Sequence, residues 1–174
     1  MKKILLSLLI IFTTVASFSI GANPMNARYW VNGSGNWHDA NHWSLTSGGI
    51  SGASVPDASN DVIFDNNSLG RNSIITISGE ADCNSFNWTA DATTATLKGH
   101  NSDKINIHGN LFISEKLINE FEGAINFLSA NTFSTIEANV PFAGNIYFNS
   151  EYGEWNLNQK LHTTGKIALI SGHL

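Results

Sequence analysis

Three glycine-led segments recur at one spacing: Gly123-Ala-Ile125-Asn-Phe127, Gly144-Asn-Ile146-Tyr-Phe148 and Gly165-Lys-Ile167-Ala-Leu169. The interval from the first to the second equals that from the second to the third. One step earlier, Ile105-Asn-Ile107 matches Ile125-Asn-Phe127 at nearly the same interval, with Asp103 in the glycine slot. A short strand-like motif that returns at one phase about every 20 residues is the signature of a solenoid. The fold expected is all-β: a right-handed parallel β-helix in which 73–174 forms coils of about 20–21 residues. Ile125, Ile146 and Ile167 then stack at about 4.8 Å, with Phe127, Phe148 and Leu169 in a parallel row. The glycine ahead of each strand is expected to turn the corner with positive φ. A β-sandwich is the alternative, since many short strands also suit one, but it leaves the repeat unexplained.

Within 73–174 the pattern predicts strands at 73–78, 84–88, 95–98, 104–107, 110–114, 124–128, 133–137, 145–149, 154–158 and 166–171. Ile75-Thr-Ile77, Ile105-Asn-Ile107 and Trp155-Asn-Leu157 alternate apolar and polar, which buries one face. The segment 114–121 reads as a solenoid corner, with one or two helical turns as the other option. Ahead of the coils, 28–72 reads as an aromatic, glycine-rich cap: a strand at 29–31, a glycine turn, an aromatic-pinned loop and a strand at 61–65. An exposed solenoid end carries unpaired backbone and apolar surface and needs such a cover.

Charge and composition narrow the partners. Charged residues are 13% of the chain, and the formal net charge is −5. Arg28 and Arg71 are the two arginines and no basic run exists, so nucleic acid is not an expected partner. The 22 asparagines suit ladders and turns, because Asn tolerates the left-handed region and bonds nearby backbone. Cys83 is the single cysteine, which excludes an internal disulfide; its setting reads as a small buried strand residue. Lys2-Lys3, the apolar run 4–20 and small residues at Gly21 and Ala22 read as a secretory leader over 1–22, with Ala27 as a later cutting point. No transmembrane segment is expected in the mature chain, whose location reads as cell surface or extracellular.

Candidate sites are weighed on chemistry. Tyr29, Trp30, Trp37 and Trp43 could form a stacking platform for sugars, although bulky aromatics also suit a cap. Asp57, Asp61 and Asp65, with Asn66 and Asn67, offer hard oxygen ligands for Ca²⁺, but without calcium-loop spacing; turn formation accounts for them equally. His38-Asp39-Ala-Asn-His42 lacks the helix and third ligand that a zinc site needs. No catalytic residues, metal or cofactor are expected. Glu137, Glu151, Glu154 and Asp103 fall at different phases of the repeat, so no carboxylate pair emerges.

Tyr29-Trp30-Val-x-Gly33-x-Gly35-Asn-Trp37, Asn41-x-Trp43-Ser, Gly48-Gly49, Pro56 and Asp61-Val-Ile-Phe-Asp65 resemble a segment near the mature N-terminus of exported surface proteins of Bacteroidetes-type bacteria, which use type IX secretion. The chain is also similar to passenger regions built from autotransporter-associated β-strand repeats, over about 28–174. The resemblance implies a β-helical stalk of a secreted or cell-surface protein, adhesin-like, with no catalytic residues of its own. It implies a display or adhesion role, with surface glycans or host and matrix components as partners. The alternatives are a carbohydrate-binding module and a β-helical carbohydrate-active enzyme. The chain stops within a coil and reads as truncated, so self-association through an open C-terminal edge is expected.

Overall fold

Alternating apolar residues become strands here because each coil can turn them toward one shared interior. The computed structural model describes residues 26–130 and 133–174. The expected leader at 1–22 lies outside the described residues. The strands are β1 (Ala27–Trp30), β2 (Gly35–Asn36), β3 (Trp43–Ser44), β4 (Asp61–Phe64) and β5 (Ile74–Thr76). They continue with β6 (Glu80–Cys83), β7 (Phe86–Trp88), β8 (Ala95–Gly99), β9 (Lys104–Ile107) and β10 (Leu111–Ile113). The last five are β11 (Leu117–Phe121), β12 (Ala124–Phe127), β13 (Ser134–Ala138), β14 (Ile146–Leu157) and β15 (Ile167–His173). One 3-10 turn, Ala40–His42, is the sole helical element among the described residues.

The strands form three faces of a β-solenoid. The first runs β3-β1-β4-β7-β10-β13-β14, the second β2-β5-β8-β11 and the third β6-β9-β12-β14-β15. From β4 onward the chain visits the faces in rotation, and every pairing except β1 with β3 is parallel. The 12-residue β14 bends from the third face onto the first, joining two segments expected as separate strands. A parallel bridge between Phe142 and Thr163 holds the second-face position in the last coils.

The predicted register is observed: Ile105 pairs with Ile125, Ile125 with Ile146 and Ile146 with Ile167. This parallel stacking rules out the sandwich. The period is not uniform, however. On the first face the chain takes a longer step from Val62 to Phe86, and again from Phe86 to Leu111, than it takes from Ile125 to Ile146. The third face takes the short step from β9 onward, whereas the first face keeps the long step as far as Leu111 to Ile136. The segment 114–121 is not a corner; it contains β11, whose Leu117 and Phe121 point inward and whose whole length pairs with β8. β6 had no predicted strand, because Glu80-Ala-Asp-Cys83 lacks β-branched or aromatic residues.

The glycine row has a different cause from the one expected. Gly123, Gly144 and Gly165 do not adopt positive φ. A Cβ at each would instead meet the carbonyl of the slot residue one coil earlier: Asp103, Gly123 and Gly144 respectively. Glycine is required there by close approach of backbones between coils.

One hydrophobic cluster runs from Trp30 to Trp155, so the cap and the coils share a core. Its rows trade volume along the axis. On the first face the inward row reads Phe64, Trp88, Ile113, Ala138. On the third face it reads Cys83, Ile107, Phe127, Phe148. From Trp88 to Ala138 bulk shrinks in the first row, while from Cys83 to Phe127 it grows in the third, so large residues face small ones across the interior. Neutral amides tie the outside: Asn106 donates to Asp82 at 3.2 Å and Asn126 to Asn106 at 2.8 Å, a ladder across three coils. It sits in the middle of the third face rather than at a corner. Asn110 and Asn145 accept from the Thr135 and Lys166 amides of the following coils.

Candidate functional site

The aromatic N-terminal segment was the first candidate, and its geometry follows from a turn. Asn32 and Gly33 both lie in the left-handed region, at φ 65° and 68°, and reverse the chain after β1. The Trp30 indole donates to the Gly33 carbonyl at 2.6 Å, and that of Trp43 donates to the Trp37 carbonyl at 2.6 Å. His42 lies flat on Trp30 at 4.8 Å, with its Nδ1 3.0 Å from the Val31 carbonyl. Trp30, Trp37 and Trp43 meet edge to face at 5.0 Å and continue into Phe64, Phe86 and Trp88.

All three indoles are completely buried. A sugar-stacking platform needs an exposed ring face, and none of the three offers one. They form a plug. Tyr29 alone of the four is half-exposed, in an outward row with Ile63, Asn87 and Phe112. β3 lies antiparallel along the free side of β1, and the Gly52 and Ala53 amides donate to the Trp43 carbonyl at 3.0 Å. β3 thereby covers the backbone edge of β1 beside the plug.

The carboxylates are likewise spoken for. Asp57 accepts from the Ser59 hydroxyl at 2.6 Å and the Ser59 amide at 2.8 Å, which together hold its carboxyl below the usual range. Asp61 accepts from the Asn84 side chain at 2.7 Å, and Asp65 from the Asn67 amide at 2.9 Å. Each serves its own turn or the next coil. No group of three or more His, Cys, Asp or Glu side chains converges among the described residues, so Asp57, Asp61 and Asp65 do not assemble a cation site. His38 and His42 diverge: His38 Nε2 lies 2.9 Å from the Glu80 carbonyl, whereas His42 faces Trp30. Asp39 instead accepts from the Asn41 amide at the start of the 3-10 turn.

Two further titratable groups, Asp103 and Cys83, are buried. Asp103 is buried, accepting from the Gly79 amide at 2.8 Å and the His100 amide at 2.6 Å. The Gly79 N–H chiefly, assisted by that of His100, pulls its carboxyl below the usual range. The signal was its place in the glycine slot. Cys83 is buried as expected, and burial first, then Asp82 and Asp61, pushes its thiol far up. That suppresses the thiolate a reactive cysteine requires.

The surface carries shallow concavities. The one on the second face, about 480 Å³, is lined by Thr76, Lys98, Gly99, His100, Glu120 and Glu122. Lys98 and Glu120 stand opposite each other in register and form an ion pair at 2.9 Å across it. No helix among the described residues is long and apolar enough to cross a membrane. Comparison with protein-family models, with curated proteins and with solved structures returns no match.

Proposed function

We propose that this chain is an exported, non-catalytic β-solenoid segment of a secreted or cell-surface protein, with a display or adhesion role. The supporting observation is how its polar side chains are used. The Asp82–Asn106–Asn126 ladder and the carboxylates of Asp57, Asp61, Asp65 and Asp103 bind neighbouring coils and turns. Side chains spent on cohesion suit a spacer. The low share of charge and the leader-like N-terminus agree with export. Within this reading the chain belongs with the exported surface proteins of type IX secreting bacteria that its opening motif resembles.

Expression with the native N-terminus in a Gram-negative host tests export. The expected product is processed near Ala22 or Ala27 and found outside the cytoplasm; an uncleaved cytoplasmic product overturns the proposal. Purified protein on glycan and matrix-component arrays tests adhesion. If glycans bind, Tyr29→Ala should weaken the signal, because Tyr29 is the one residue of the four that is not fully buried. Turnover of a polysaccharide would replace the scaffold reading with an enzyme.

A further inference from the structure

β1 is held from its very first residues. The Asn26 carbonyl accepts from the Asp61 amide at 3.1 Å, and Ala27, 1% exposed, stands opposite Asp61 in the parallel ladder with β4. The Ala27 carbonyl in turn accepts from Arg28 Nη1 at 3.0 Å. Arg28 Nη2 donates to the Ser54 hydroxyl at 2.9 Å and Arg28 Nε to the Ser54 carbonyl at 3.2 Å, which ties the start of β1 to the loop that follows β3. Further along the same strand, Trp30 enters the plug.

We infer that the leader is cut ahead of Asn26, after Ala22, and that the later cutting point after Ala27 is not used. The inference rests on the export proposed above and chooses between its two cuts. A cut after Ala27 would remove the acceptor of the Asp61 amide, the acceptor of Arg28 Nη1 and a buried rung of the β1–β4 ladder. It would also place a new ammonium on Arg28, which stands opposite the fully buried Val62. An N–H left without its acceptor and a charge brought against an apolar row both oppose folding. A cut after Ala22 leaves every one of these contacts in the mature chain. The step itself is hydrolysis by a peptidase of the export route. Water adds across the peptide bond between Ala22 and Asn23, leaving a carboxylate on the leader and an ammonium on the mature chain, with no other reactant.

N-terminal sequencing and intact mass of the chain exported with its own N-terminus from a Gram-negative host test this. The expected first residue is Asn23. A first residue of Arg28 overturns the inference and leaves export standing, whereas an uncleaved Met1 overturns both. The physical reason is tested without any leader, by releasing two chains from a cleavable fusion, one beginning at Asn23 and the other at Arg28. The chain from Arg28 should melt at a lower temperature and exchange its Asp61 amide at least about tenfold faster. Equal melting and equal exchange would show that Asn26 and Ala27 are dispensable, which also overturns the inference.

Discussion

The two halves of the solenoid are built on different rules. In the first coils Trp30, Trp37, Trp43, Phe64, Phe86 and Trp88 interlock as a plug. In the last coils single residues stack on their counterparts, Ile on Ile and Phe148 on Phe127 at 4.9 Å, at the shorter period. The plug gains stability from shape fit among unlike rings; the rows gain it from repetition. Where shape fit rules, one residue cannot change alone, whereas a row is interrupted mainly at the neighbouring coils.

The largest effect should come from the plug. Trp43→Ala removes a buried indole and its hydrogen bond to Trp37, and should cost about 3–5 kcal/mol in urea unfolding. Trp43→Phe should cost more than Trp88→Phe, because the Trp43 N–H has an acceptor and that of Trp88 has none among the described residues. Equal losses would mean that the indole bond contributes nothing.

Next in size is the trade of volume between faces. Ile113→Phe should overpack and Phe127→Ile should underpack the same coil, each costing about 1–3 kcal/mol. The double exchange should recover more than half of the summed loss. Strict additivity in the double-mutant cycle would show that the rows do not compensate.

The glycines sharpen the contrast further. Gly79 has φ of +89° and no atom within 4 Å of a built Cβ, so Gly79→Ala should cost about 1–2 kcal/mol from backbone strain. Asn tolerates that region, so Gly79→Asn should recover part of the loss. At Gly144 the obstacle is the Gly123 carbonyl, so Gly144→Asn should be no better than Gly144→Ala. Melting temperatures of the four variants decide this.

The smallest effect is on pH dependence. The folded carboxyl of Asp103 is lowered, so its contribution is complete above the ordinary carboxylate range and is lost as pH falls through the lowered value. Urea midpoints between pH 7 and pH 3 should therefore fall less in Asp103→Asn than in the parent. Parallel curves would remove Asp103 from the acid response.

Repetition is also what the sequence makes visible. Ile125, Ile146 and Ile167 announce their stacking because identical residues recur at one phase. β6 did not show, since Ala81 and Cys83 are small to leave room for bulk on the opposite face, and smallness carries no strand signal. β11 was obscured because Leu117, Ile118 and Phe121 fit a helical spacing as well as a strand, and pairing with β8 decided the matter. The tryptophans advertised a cap, but whether a ring faces sugar or core depends on which rings meet, which no local pattern encodes. The slot at Gly123, Gly144 and Gly165 was found by its period, and its cause lay in the distance between coils.

The tryptophan plug, with β3 along the free side of β1, gives the column its base. Synthesis delivers a chain from its N-terminus, so the tryptophan plug emerges before the turns that lie on it. Each later turn then meets a finished template rather than a fluctuating one, and the molecule can be laid down in order, course upon course.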